Sequence, residues 1–141
     1  MQSDSRVDIL PLRLNDYEKI VFFTGAGMSE ESGIPTYRGK GGTWKQYNYK
    51  NYACQSAFEQ NPEDVLDFHE KRRRMAISCK PHSGHKVISR IERVHPSVSV
   101  ITQNIDGMHQ RSGSKNVIEL HGSLWRVRCT CIGSREDIGE T

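Results

Sequence analysis

Apolar positions along the chain fall into a few separated blocks. Ile20, Val21, Phe22 and Phe23 follow one another without a polar break, so Lys19–Thr24 reads as a buried central strand. Ser97–Thr102 alternates and is rich in β-branched residues, which marks a second strand, and Val117–Leu120 a short third one. Between the first two, Val65, Leu66, Phe68, Met75 and Ile77 predict a helix that starts near Pro62 and runs to about Ala76. A further helix is predicted over His82–Val94, with Val87, Ile88 and Ile91 on one face. Ser29–Pro35 is expected to begin as a short helix capped by Ser29 and stopped by Gly33 and Pro35. Arg38–Tyr52 has no sustained period and is read as a mobile loop. The strand–helix–strand order predicts an α/β fold, a partial Rossmann-like parallel sheet with flanking helices. The expected organisation is a lead-in over residues 1–15 with at most a short helical turn, one domain over 16–128 and a divergent tail over 129–141.

Composition narrows this picture. The 141 residues are enough for one domain, yet only 35% are apolar, a low share that fits a core finished by something else. Twenty basic against 17 acidic residues give a net charge of +3, which neither demands nor excludes nucleic acid, and no specific nucleic-acid feature is evident. No apolar stretch is long enough to cross a membrane, and the acidic start MQSDSRVDIL does not read as a secretory signal. Cys54, Cys79, Cys129 and Cys131 are spaced too irregularly for a disulfide framework, so a cytoplasmic location is expected.

The chemistry is concentrated where the first strand ends. Gly25-Ala26-Gly27 directly after an apolar run is how a parallel strand delivers its end to a pyrophosphate. The next glycine is Gly33, so the ordinary G-x-G-x-x-G spacing is not met, and a tight turn beside a surface arginine is the plainer alternative. The second strand ends in Gln103-Asn104-Ile105-Asp106, where Asn104 and Asp106 fall on one side of an extended segment. Asp106-Gly107 also reads as a simple turn. Six histidines are present, and histidine is the side chain suited to moving a proton near neutral pH.

Three strings, taken whole and in order, carry more than their parts. Gly25–Gly39 (GAGMSEESGIPTYRG), Thr102–His109 (TQNIDGMH) and Glu119–Ser123 (ELHGS) closely resemble successive motifs of the sirtuins, the NAD-dependent protein deacylases, and the resemblance spans roughly Tyr17 to Cys131. It implies NAD as cofactor. Gly25, Ala26, Gly27 and Ser29 would then lie along the pyrophosphate, Pro35, Thr36, Tyr37 and Arg38 in a flexible loop over the nicotinamide end, and Trp44 further along that cofactor segment. The family most often has phenylalanine at the Tyr37 position; an aromatic face is kept. Gln103, Asn104, Ile105 and Asp106 would hold the nicotinamide carboxamide and ribose, and His121 would be the catalytic base. The implied partners are acyl-lysine proteins. The acyl oxygen would attack C1′ of the ribose and nicotinamide would leave; His121 would help a ribose hydroxyl attack the resulting imidate, and water would then release lysine and O-acyl-ADP-ribose.

The same resemblance touches acyl preference. Asp67–Arg74 (DFHEKRRR) and the loop Gly39–Trp44 look like the bacterial and mitochondrial branch that removes succinyl and malonyl groups. That branch pairs a tyrosine with an arginine three residues later; here the positions hold His69 and Arg72, so both removal of an acidic acyl group and plain deacetylation are open. A solvated basic face is the alternative reading of Lys71–Arg74. The family's small zinc module uses two cysteine pairs, of which this chain carries only Cys129-Thr130-Cys131, one residue tighter than Cys-x-x-Cys. Two thiolates do not complete a tetrahedral site, so the start of a zinc module without its closure is expected. The polar tail Ile132–Thr141 is unlike the family and reads as the end of a shortened or frame-shifted gene, which leaves a non-catalytic remnant with weak NAD binding as the alternative to an active deacylase.

Overall fold

The computed structural model describes residues 13–38, 41–128 and 137–138. The expected lead-in falls mostly outside these residues; its described end holds a 3-10 turn at Leu14–Asp16. Three strands, β1 (Ile20–Thr24), β2 (Val98–Thr102) and β3 (Val117–Glu119), form a parallel sheet in the order β1-β2-β3. The register sets Phe23 beside Ile101 and Ile101 beside Ile118, and ends Thr24 level with Thr102. Among the described residues the predicted central strand is therefore an edge strand, and β2 is the middle one. Its unbroken apolar run is also not buried on both faces, because Val21 and Phe23 point outward at 56% and 63% exposure.

Six helices connect the strands among the described residues. A four-residue helix, α1 (Gly27–Glu30), follows the glycine turn. Ser29 lies inside it and does not cap it, since Ala26 holds that position and the Ser29 hydroxyl is used elsewhere. The segment read as a mobile loop contains a 3-10 turn at Thr43–Lys45 and a short helix, α2 (Tyr49–Tyr52), capped by the Asn48 side chain. Then come α3 (Gln55–Gln60), α4 (Pro62–Ser78) and α5 (Ser83–Val94). Pro62 begins α4 with Glu63 and Asp64 in its first turn, as the helix dipole favours. At the other end, Arg111 donates to the carbonyls of Ala76 and Cys79 at 2.8 and 2.7 Å and so holds the last turn of α4. On α5 the buried positions are His85, Ile88 and Ser89, while Val87 is half exposed and lies off the face predicted for it. The last helix, α6 (Met108–Arg111), follows β2.

Ile34, Ala76, Met108 and Leu124 form a small core, with Cys79, Ile105 and Trp125 packed around it. It sits beyond the carboxyl ends of the strands and joins α4 to the segments after β2 and β3. Two further short strands, β4 (Val127–Arg128) and β5 (Asp137–Ile138), pair antiparallel. The rest of the expected tail over 129–141, Cys129 and Cys131 included, lies outside the described residues.

Candidate cofactor and catalytic site

The carboxyl ends of β1 and β2 meet in a tight set of polar contacts. The Asn104 side-chain amide donates to the Gly25 carbonyl at 2.9 Å and to Ser29 Oγ at 3.2 Å. The Ser29 hydroxyl in turn donates to Asp106 Oδ2 at 2.7 Å, and Asp106 Oδ1 accepts the Met108 amide at 2.9 Å. Ser29 and Asp106 are buried, so the serine expected at a pyrophosphate spends its proton on the carboxylate behind the turn. This network fixes the distance between the glycine turn and the second motif. Gly107 then turns the chain with φ +71°, and an added Cβ there would lie 2.5 Å from Trp125 Nε1. That indole N–H donates to the Asp106 carbonyl at 2.9 Å, which locks the ring over the glycine.

In front of the network lies an open cleft of about 730 Å³. Ala26, Gly27, Thr36, Tyr37 and Arg38 line it from the first motif, Gln103, Asn104 and Ile105 from the second, His121 from the third, and His69 and Arg72 from α4. Eleven of the residues singled out by sequence thus share one cleft. Gly25, Ser29, Pro35 and Asp106 do not line it. Gly25 contributes a carbonyl from behind, and Ser29, Pro35 and Asp106 border a small adjoining cavity of about 20 Å³. Trp44 belongs to the 3-10 turn at Thr43–Lys45, and its side chain lies outside the described residues.

His121 is exposed, and its Nδ1–H lies 3.1 Å from the Gln103 carbonyl, which accepts it. That bond leaves Nε2 with a lone pair, the form a general base needs. The run Lys71–Arg74 is not one solvated face. Lys71 pairs with Asp67 and Arg74 with Glu70 in solvent. Arg73 donates to the Leu124 carbonyl at 2.8 Å and so anchors the segment after His121 to α4. Arg72 turns inward: it is 9% exposed, stands 4.5 Å over the Tyr37 ring and donates to Thr43 Oγ1 at 3.2 Å. Burial raises the Tyr37 phenol above its ordinary pKa; Arg72 opposes that shift and Asp106 adds to it. Arg72 Nε is buried without a hydrogen-bond partner in the protein. His69 Nδ1 is 2.8 Å from the Val65 carbonyl, leaving its other ring nitrogen toward the cleft side of α4.

The residues present fit a dinucleotide. A glycine turn, two cationic forks and amide side chains converge on one cleft at the carboxyl edge of a parallel sheet, and a Cβ on Gly27 would meet nothing within 4 Å. Cys129 and Cys131, the cysteines expected to begin a zinc module, lie outside the described residues, and among those described no group of three or more His, Cys, Asp or Glu residues could hold a metal. Thr24, Thr102, His109 and Trp125 support the site without having been given a role from sequence. Two of them, Thr102 and His109, bound the second motif, and that was the available signal.

A parallel α/β unit with this turn and cleft is a Rossmann-like nucleotide-binding fold. The particular family follows from comparison: the Sir2 family profile matches residues 25–141, and the chain belongs to that family. It is 47% identical over 115 residues to an NAD-dependent protein deacylase of Aquifex aeolicus, covering 82% of this chain and 48% of that protein. It is 48% identical over 122 residues to NAD-dependent protein deacylase 1 of Caldanaerobacter subterraneus, covering 86% and 50%. Among solved structures, a Sir2 homolog–NAD complex superposes with a TM-score of 0.79 at 40% identity, covering 89% of this chain and 48% of that one. The chain spans about half the length of the curated relatives it matches.

Proposed function

We propose that this chain carries the cofactor-binding and catalytic part of an NAD-dependent protein-lysine deacylase acting on acyl-lysine proteins in the cytoplasm. One observation carries the reading: residues of all three motifs, from Gly27 through Asn104 to His121, line a single cleft. Bound NAD would supply an electrophilic ribose C1′ with nicotinamide as its leaving group. Gly25, Ala26 and Gly27 shape the turn beside the pyrophosphate. Arg38 offers a charge-assisted fork to its oxygens. Asn104, fixed by Gly25 and Ser29, orients the ribose end, and Asp106 acts through Ser29 and the Met108 amide to hold that geometry. Tyr37 and Ile105 exclude water. His121, with its Nδ1 proton held by the Gln103 carbonyl, takes a proton from a ribose hydroxyl through Nε2.

For the acyl group, Arg72 favours a second, finer reading. A buried guanidinium with an unpartnered Nε beside His69 suits an acyl chain ending in a carboxylate, such as succinyl or malonyl. The test incubates the chain with NAD and acetyl- or succinyl-lysine peptides and detects O-acyl-ADP-ribose by mass spectrometry. Wild type is expected to form product and His121→Ala to lose about 10²-fold or more of it. Equal product from both would overturn the catalytic assignment. A folded chain that binds NAD without turnover would leave the remnant reading in its place.

A further inference from the structure

Behind the glycine turn three histidine rings meet edge to face in a row. His82 lies 4.4 Å from His85, and His85 4.9 Å from His109, measured between ring centres. His85 and His109 are 0% and 2% exposed. The two outer rings reach the turn at its opposite ends. His82 Nδ1 accepts the Gly84 amide at 3.0 Å, so its proton sits on Nε2 and is donated to the Met28 carbonyl at 2.7 Å. The Thr24 hydroxyl donates to Thr102 Oγ1 at 2.9 Å, so Thr24 Oγ1 is left to accept the Nε2 proton of His109, also at 2.9 Å. Thr102 Oγ1 further accepts the Asn104 amide at 3.0 Å. A continuous path therefore runs from His109 through Thr24 and Thr102 to Asn104, whose side chain faces the cleft.

We propose that His82, His85 and His109 are positioning residues that grip the dinucleotide turn at Thr24 and Met28 and must be neutral to do so. This rests on the NAD reading of the cleft. Neither ring nitrogen of His85, nor Nδ1 of His109, has a protein hydrogen-bond partner, so a second proton on either has nowhere to go. A second proton on His82 would displace the Gly84 amide. The charged groups that face the histidines are Glu31, whose Oε2 is 3.6 Å from His82 Nδ1, and Asp106 near His109; Thr24 faces them from β1, and Ser112, just past α6, donates to the His85 carbonyl. Burial lowers the pKa of His109, with Asp106 opposing, and lowers that of His85 to about 4. Neutral His85 and His109 thus hold the turn at physiological pH, and acid loosens it.

The test measures NAD and ADP-ribose affinity of the whole chain by calorimetry between pH 7.5 and 4, a span that reaches below the ordinary histidine range because burial lowers both inner histidines. His109→Leu removes the His109–Thr24 bond, and Thr24→Val removes that bond together with the one Thr24 donates to Thr102; each should weaken binding about tenfold or more, with the double variant no weaker than Thr24→Val alone. His109→Gln keeps an N–H donor that cannot gain a proton. It should bind within about threefold of wild type and flatten the acid-side loss of affinity that wild type shows. Folded His109→Leu and Thr24→Val variants that bind as wild type does would overturn the proposal, as would an unchanged pH profile in His109→Gln. If His109→Leu does not fold, Thr24→Val makes the same comparison. If wild type binds neither ligand, the cleft reading fails separately. The proposal is then decided by the amide NMR shifts of Gly25, Ala26 and Gly27, which must move in both variants for it to stand.

Discussion

The two faces of the three-stranded sheet are made from the same strands and share one register, yet they differ almost completely. On one face Val98, Val100 and Thr102 are buried beneath α5 and its histidines. On the other, Val21, Phe23, Ile118 and Leu120 are each at least half exposed, and the register sets Phe23, Ile101 and Ile118 in one row. Parallel sheets are ordinarily covered on both sides. The site belongs to the covered side and the strand ends, so all the polar order described above is built on half of a layered fold. The open face is apolar without being packed, a match to the half-length coverage of the relatives.

The sharpest way to break this contrast is to charge the covered face. Val100 is 0% exposed at the centre of β2. Val100→Asp places a carboxylate among apolar side chains with no partner, and the cost is expected to reach about 4 kcal/mol or more. Thermal or urea unfolding should show loss of the cooperative transition. A variant that melts within about 1 kcal/mol of wild type would mean that this face is no better packed than the other.

How much of this was legible depends on which physical signal each part left in the sequence. Strand positions were readable because β-branched and aromatic runs bounded by Gly25 and by Pro96-Ser97 have few other uses. The edge position of β1 was not readable: an unbroken apolar run looks the same whether its outward residues are covered by helices or left bare. The cleft residues were legible as whole strings, and the fold brought eleven of them to one place. Their division of labour was not, because Ser29 and Asp106 differ from Asn104 only in which way the turn aims them. The triple histidine row left no local pattern at all. His82 caps α5, His85 stands on it and His109 on α6, and only tertiary packing sets their rings together.

That row gives the covered face a pH signature the open face lacks. In the folded chain His85 is held at a pKa of about 4, against about 6.5 for a free imidazole, chiefly because its site is dry and next because His109 and His82 repel a charge. The unfolded chain therefore takes up a proton first as pH falls. Stability is full above about pH 6.5, declines from there toward pH 4 and then levels, a loss of roughly 3 kcal/mol in all. His85→Phe keeps a ring in the row and removes the titration. The difference between wild-type and variant unfolding free energies, measured across pH 7.5 to 4, should change by that amount and in that direction. A constant difference would show that His85 is solvated in the folded chain.

The smallest effect is expected on the open face, and its smallness is the point. Phe23 is 63% exposed, so replacing it removes little buried area, and Phe23→Lys should change stability by no more than about 0.5 kcal/mol. The lysine stem can lie along Ile101 and Ile118 while its ammonium stays in water. What should change is self-association: an apolar row beside a free strand edge invites contact between copies, and a charge there opposes it. Sedimentation at increasing concentration would read that shift while unfolding curves stay in place. A loss above about 1.5 kcal/mol would instead mean that Phe23 is covered in solution, and the two faces would then be alike in packing and different only in chemistry.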